Sequence, residues 1–112
     1  MSKKTISKKA KVEKAAKPVV AVVMTAWLDD KVENYLVEIE IPGASKESID
    51  LKMLDDIVQV KAERKDSMYL GHLHFPLRVD PKKAEAEFNE GLLTVKVPIA
   101  EKRERPTTIT IK

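Results

Sequence analysis

The sequence has no cysteine and only three glycines, Gly43, Gly71 and Gly91, among its 112 residues. Without cysteine, the chain can form no disulfide, no thiolate metal site and no cysteine nucleophile. The glycines lie too far apart to form a glycine-rich phosphate loop. The longest apolar run, residues 19–24, is far shorter than the roughly 18 residues that a membrane-spanning helix needs. These absences exclude several broad classes of protein.

Catalytic motifs are also scarce. No Gly-x-Ser-x-Gly nucleophile elbow is present, and the carboxylates are spread along the polar faces of predicted strands. We therefore expect no enzymatic activity and no cofactor. The basic N-terminus is not followed by a long apolar segment and a cleavage site of small residues, so it is not typical of a secretory signal. We expect a cytoplasmic protein.

Positive charge is concentrated at the N-terminus. Residues 1–18 hold seven lysines and one glutamate, a formal charge of +6 within a total of +3, so the rest of the chain carries −3. This segment has few large apolar side chains, and we expect a disordered tail. Weak, salt-dependent binding to polyanions is expected, without base recognition, because the tail has no aromatic residue and no arginine. The candidate contacts are Lys3, Lys4, Lys8, Lys9 and Lys11.

From residue 19 onward, short β-prone runs alternate with turn residues. Residues 35–41 alternate cleanly and place Tyr35, Val37, Ile39 and Ile41 on one face. The other predicted strands are residues 19–28 (an edge strand), 49–53, 57–62, 68–75, 83–88 and 92–97. About seven short strands joined by short turns predict an all-β protein, an antiparallel immunoglobulin-like sandwich. The predicted domain spans residues 19–100, and residues 101–112 form a C-terminal extension.

Two histidines on one predicted strand are candidate metal ligands. His72 and His74 are two residues apart on a predicted strand, so they share one face and could reach the same metal ion. A metal site needs at least one further ligand, and the pattern indicates none. We therefore interpret the pair as polar side chains on the outer face of a sheet and expect no metal site.

Residues 86–98 resemble the signature of the α-crystallin domain of small heat-shock proteins. In that signature an alanine precedes a hairpin with glycine, an aliphatic residue and leucine, here Glu90, Gly91, Leu92 and Leu93. Glu90 stands where the family usually has asparagine. Three more segments match in order: residues 35–43 end in Pro-Gly, residues 75–81 contain a Pro-x-x-Val segment, and Ile109, Thr110 and Ile111 match a C-terminal Ile-x-Ile motif.

The resemblance implies an ATP-independent chaperone that binds unfolding client proteins and assembles into dimers or larger oligomers. In this family the Ile-x-Ile tail docks between two edge strands of a neighbouring protomer, here residues 49–53 and 84–88. Alternation also places Ile49, Leu51, Met53, Ala86 and Phe88 on the apolar side. The alternative is that residues 107–111 add a strand to their own sheet.

The sequence departs from the family in two places. Its N-terminal arm is short and lysine-rich, and only residues 64–67 join two strands between which many relatives carry a long loop with an extra strand. Four residues suffice for a hairpin but cannot also project a strand. We therefore expect assembly without strand exchange. Two other functions stay open: a CS-type co-chaperone domain, and an adaptor whose basic tail contacts polyanions.

Overall fold

Eight strands form two four-stranded sheets in the computed structural model, which describes residues 17–100 and 107–112. The strands are β1 (Val19–Ala21), β2 (Val23–Leu28), β3 (Asn34–Glu40), β4 (Asp50–Leu54), β5 (Ile57–Arg64), β6 (Ser67–His74), β7 (Glu85–Asn89) and β8 (Leu92–Pro98). The first sheet has the order β1-β6-β5-β4 and the second the order β2-β3-β8-β7. The all-β sandwich predicted from the sequence is therefore confirmed.

The core lies between the two sheets and follows the period-two pattern of the strands. Tyr35, Val37, Ile39 and Ile41 are all buried, as their alternation predicts. They pack with inward residues of the other strands and with two residues of the segment after β6. The strand residues are Val58, Val60, Ala62, Tyr69, Leu93, Val95 and Val97, and the two that follow β6 are Phe75 and Val79. Burial of these apolar side chains is the main favourable contribution to folding.

The segment of residues 19–28 departs from the prediction of one edge strand in an antiparallel fold. The chain changes sheets at Val22: β1 pairs in parallel with β6, whereas β2 pairs antiparallel with β3. Gly71 of β6 allows the crossover to approach closely, because a Cβ at this position would lie 3.1 Å from the Val22 Cβ. The apolar pattern is continuous across the break, so it cannot show where the chain changes sheets.

The predicted strand at residues 83–88 begins two residues later, at Glu85. Residues Pro81–Lys83 instead form a 3-10 turn. The Asp80 carboxylate caps this turn, since it accepts a hydrogen bond from the Lys82 amide at 3.2 Å. Pro81 suits the first position of the turn because it has no amide hydrogen to satisfy. This local capping overrides the apolar alternation that begins at Ala84.

β5 and β6 are joined by a two-residue turn at Lys65 and Asp66, since Arg64 and Ser67 already pair across the hairpin. The turn therefore carries no additional strand, as the segment length predicts. The Arg64 guanidinium donates a hydrogen bond to the Tyr69 hydroxyl at 2.8 Å, which raises the pKa of Arg64. The Tyr69 hydroxyl in turn donates to the Pro42 carbonyl at 2.7 Å.

Residues 17 and 18, the first that the structure describes, lie beside this hairpin. Lys17 pairs with the Glu63 carboxylate at 3.1 Å, and the Pro18 carbonyl accepts a hydrogen bond from the Met68 amide at 2.9 Å. Residues 17 and 18, which the sequence assigns to the tail, thus contact the sandwich. The other residues of the predicted tail, 1–16, lie outside the described part of the chain, as do residues 101–106.

Candidate functional site

The candidate groove lies where the free edges of the two sheets face each other. β4 is an edge of the first sheet and β7 an edge of the second. Leu51 pairs opposite the buried Val60, and Ala86 opposite the buried Val95, so both side chains point into the space between the sheets. Edge strands lack a neighbour on one side, and these inward residues are therefore only partly covered.

A cavity of about 230 Å³ opens between these edges. It is lined by Leu51, Met53, Pro81, Ala84, Glu85, Ala86 and Val95. The structure thus brings together three of the five groove residues predicted from the sequence: Leu51, Met53 and Ala86. The other two, Ile49 and Phe88, do not line this cavity and instead pack against the core while remaining half-buried. The groove is mainly apolar, with Glu85 at its margin.

The signature hairpin fixes β7 at the groove. Glu90 and Gly91 form its two-residue turn, and both have positive φ, +47° and +84°. Turns of this kind match the twist of the flanking strands but favour Asn-Gly, because most side chains disfavour positive φ. A Cβ on Gly91 would also lie 3.0 Å from the Pro42 Cα. Leu93 is buried and Leu92 half-buried on β8, so the hairpin sets the register that turns Ala86 inward.

The C-terminal isoleucines are the most exposed large apolar side chains of the described residues. Ile109 is 81% exposed and Ile111 is 92% exposed. Residues 107–112 contain no strand, so the alternative in which they extend their own sheet is not seen. Backbone hydrogen bonds attach the chain to the sandwich up to residue 100. The Ile99 amide donates to the Glu33 carbonyl and the Ala100 amide donates to the Arg78 carbonyl, each at 2.9 Å.

His72 and His74 lie on the outer face of β6, both exposed, with ring centroids 5.7 Å apart. They pair opposite Gln59 and Ile57, which are not strong metal ligands. Within residues 17–100 and 107–112, no group of three or more histidine, aspartate or glutamate side chains is placed to hold a metal ion. Over the same residues, no helix has the length and apolar character needed to cross a membrane.

The five predicted groove residues leave out four that line the cavity, namely Pro81, Ala84, Glu85 and Val95. Ala84 and Val95 continue the inward alternation of Ala86, so that signal was present in the sequence. Pro81 reaches the groove only because Asp80 caps the turn before β7, a contact that alternation does not reveal. The lysines predicted to contact polyanions, Lys3, Lys4, Lys8, Lys9 and Lys11, lie outside the described residues.

Comparison with known families agrees with this geometry. The model of the Hsp20/alpha crystallin family matches residues 27–112, which include both groove strands, the signature hairpin and the terminal triplet. The chain belongs to this family of small heat-shock proteins. This confirms the family resemblance derived from the hairpin and the Ile-x-Ile motif.

Individual relatives are distant. The chain is 29% identical over 102 residues to the 18 kDa antigen 2 of Mycobacterium avium, covering 79% of this chain and 72% of that protein. It is 28% identical over 89 residues to the 18 kDa heat shock protein of Streptomyces albus G, covering 65% of this chain and 62% of that protein.

Among solved structures, heat shock protein 16.0 of Schizosaccharomyces pombe superposes with a TM-score of 0.65 at 22% identity, over 83% of this chain and 99% of that one. HSP18.5 of E. histolytica superposes with a TM-score of 0.66 at 17% identity, over 80% of this chain and 97% of that one. At these identities the comparison establishes a shared fold.

Proposed function

We propose that this protein is an ATP-independent chaperone that binds unfolding proteins and limits their aggregation. The observation that carries the proposal is the open apolar groove between β4 and β7, in a chain that also exposes Ile109 and Ile111. An unfolding protein exposes extended apolar segments, and a groove between two sheet edges can bind such a segment by burying alternate side chains. Because the binding energy comes from burial of apolar surface, the interaction needs no nucleotide.

The same groove suits the protein's own C-terminus. Ile109 and Ile111 are two residues apart, so an extended backbone points both side chains in one direction. The chain is held up to Ala100, which leaves eight residues before Ile109. The nine steps from Ala100 to Ile109, at about 3.3 Å each, reach at most about 30 Å. We infer that the triplet docks in the groove of an adjoining copy and that client segments compete with it there.

A CS-type co-chaperone is the second candidate, and the two-residue turn between β5 and β6 is the observation that favours it. That domain shares the sandwich and likewise lacks the long loop. It would bind an ATP-driven chaperone through its surface and would have no need for a free apolar groove. The match of residues 27–112 to the Hsp20/alpha crystallin family favours the first proposal.

The deciding experiment is heat aggregation of two unrelated client proteins, followed by light scattering without ATP. A chaperone of the proposed kind suppresses scattering from both clients at near-stoichiometric amounts, and added ATP changes nothing. If neither client is protected, while a purified ATP-dependent chaperone binds this protein tightly, the co-chaperone proposal replaces the first one.

A further inference from the structure

The outer face of the second sheet carries an excess of negative charge. The register of β2, β3, β8 and β7 places Glu38, Glu40, Glu85 and Glu87 on this face, with Lys96 as the one basic residue among the paired positions. The face therefore has a formal charge of −3. This face is on the side of the sheet opposite the core and adjoins the groove between β4 and β7, with which its cleft shares Glu85, Ala86 and Val95 at the β7 edge.

A broad cleft of about 500 Å³ runs across the same face. One end of the cleft is apolar: Trp27, which is 41% exposed, pairs opposite the half-buried Leu36. Thr94 and Lys96 line its middle. Glu38 lies on the strand next to Trp27, whereas Glu85 and Glu87 line the far side of the cleft on β7, three strands away. An exposed tryptophan ring near a carboxylate, on a face of net negative charge, favours a cation with an aliphatic stem, because the ring attracts the charge and the stem covers the ring. Lysine side chains have this chemistry.

We propose that the lysine-rich segment of residues 3–11 docks on this face of its own chain. The segment contributes five lysines and no acidic residue, which complements a face of charge −3. The structure describes the chain from Lys17 onward, and Lys17 precedes Trp27 by ten residues, so the two are at most about 33 Å apart. The chain from residue 3 to residue 17 can span up to about 46 Å, which suffices to bring Lys3 and Lys4 back to Trp27. Lys11, six residues from Lys17, reaches only about 20 Å and is limited to the part of the face nearer to Lys17.

Connection to the same chain strengthens this weak electrostatic contact. Individual exposed lysine–carboxylate pairs contribute little, but a short linker holds the segment near the face at an effective concentration in the millimolar range. A free cationic peptide at micromolar concentration lacks this advantage. The inference is independent of the proposed chaperone activity, since it involves neither the groove nor the terminal isoleucines.

Trp27 is the only tryptophan in the chain, so its fluorescence reports on this face alone. The test measures acrylamide quenching of Trp27 in four full-length proteins, the wild type and three variants. The arm variant has Lys3, Lys4, Lys8, Lys9 and Lys11 changed to Gln. The face variant is Glu38→Gln with Glu87→Gln, and the control is Asp30→Asn with Glu47→Gln. The control removes two exposed carboxylates that lie outside the cleft.

At low salt, the wild type and the control should be quenched about twofold less than the arm and face variants, because lysine stems cover the indole. In about 1 M NaCl, where the Debye length falls to about 3 Å, all four proteins should be quenched alike. Equal quenching of wild type and arm variant at low salt would overturn the proposal. Protection that disappears on dilution would overturn the assignment to the same chain and place the arm of a second copy on the face.

Discussion

Leu51 and Ala86 belong to different sheets, yet both line one cavity between β4 and β7. Each pairs with a buried valine on the neighbouring strand, Val60 and Val95, so each is an inward residue left partly uncovered at a sheet edge. This relationship joins the two edges into one apolar groove. Both the groove and the terminal isoleucines can be tested by substitution.

Removal of the terminal isoleucines should reduce the size of the assembly. We expect Ile109→Ala with Ile111→Ala to lower the native mass measured by light scattering and to leave the β-sheet circular dichroism unchanged. Full burial of each isoleucine is worth about 1.5–3 kcal/mol, so losing both from a repeated contact should be visible. Thr108→Ala with Thr110→Ala is the matched control, since these neighbours point the other way on an extended chain. An unchanged mass in the isoleucine variant would exclude docking.

The lysine-rich arm should carry any binding to polyanions. Changing Lys3, Lys4, Lys8, Lys9 and Lys11 to Gln should weaken binding to double-stranded DNA in a gel-shift titration. If all five lysines contact phosphates, the slope of log affinity against log salt concentration should become about 4 less steep. Equal affinity and slope in the variant and the wild type would place the site on residues 12–112 instead.

Glu90→Asn should stabilise the signature hairpin. Glu90 has a φ of +47°, which asparagine tolerates better than glutamate does. We expect the free energy of unfolding, measured by urea denaturation, to rise by about 0.5–1 kcal/mol. Glu90→Gln removes the same charge without relieving the backbone, so it should leave stability nearly unchanged. Equal stabilisation by both substitutions would show that charge, and not the turn conformation, is responsible.

Asp29 should make stability depend on pH in the acid range. Its carboxylate accepts hydrogen bonds from the Asn34 side chain and the Glu33 amide, each at 2.8 Å, and these lower its pKa below the ordinary value of 3.8. A lowered pKa contributes stability above pH 3.8 that is lost as the pH falls through the folded-state value. Asp29→Ala should therefore destabilise the protein at neutral pH, and the difference from wild type should shrink below pH 3.8.

The control for this experiment is Asp30→Ala, which removes the neighbouring exposed carboxylate. It should leave the pH dependence of stability as in the wild type. A gap between Asp29→Ala and wild type that stays constant from neutral to acid pH would contradict the assigned role of the hydrogen bonds.

Much of the fold could be predicted from the sequence, because apolar and polar residues alternate along a strand that has one buried and one exposed face. The alternation of residues 35–41 identified one face of β3 correctly, and the polar turn at residues 64–67 indicated a tight hairpin. The break at Val22 could not be predicted, because it depends on the close approach of Gly71, which is distant in sequence. The late start of β7 depends on the Asp80 cap, a local signal that the apolar pattern obscured.

The groove was predicted in part for the same reason. Alternation places Leu51, Met53 and Ala86 on inward faces, but it does not show which edges of the two sheets lie together. That arrangement follows from the sheet order, which is a property of the whole fold. The acidic cleft at Trp27 was not foreseen either, since its carboxylates come from β3 and β7, two strands that do not neighbour each other in the sheet.

Client binding in the groove is tested most sharply by comparing substitutions at two adjacent residues of β4 in the client aggregation measurement without ATP. Met53 points into the groove and Leu54, which is 66% exposed, points to solvent. We expect Met53→Ser to lose most of the protection of heated clients and Leu54→Ser to retain it, with both variants folded by circular dichroism. Full protection by a folded Met53→Ser protein, or equal loss in both variants, would contradict the groove as the client-binding site.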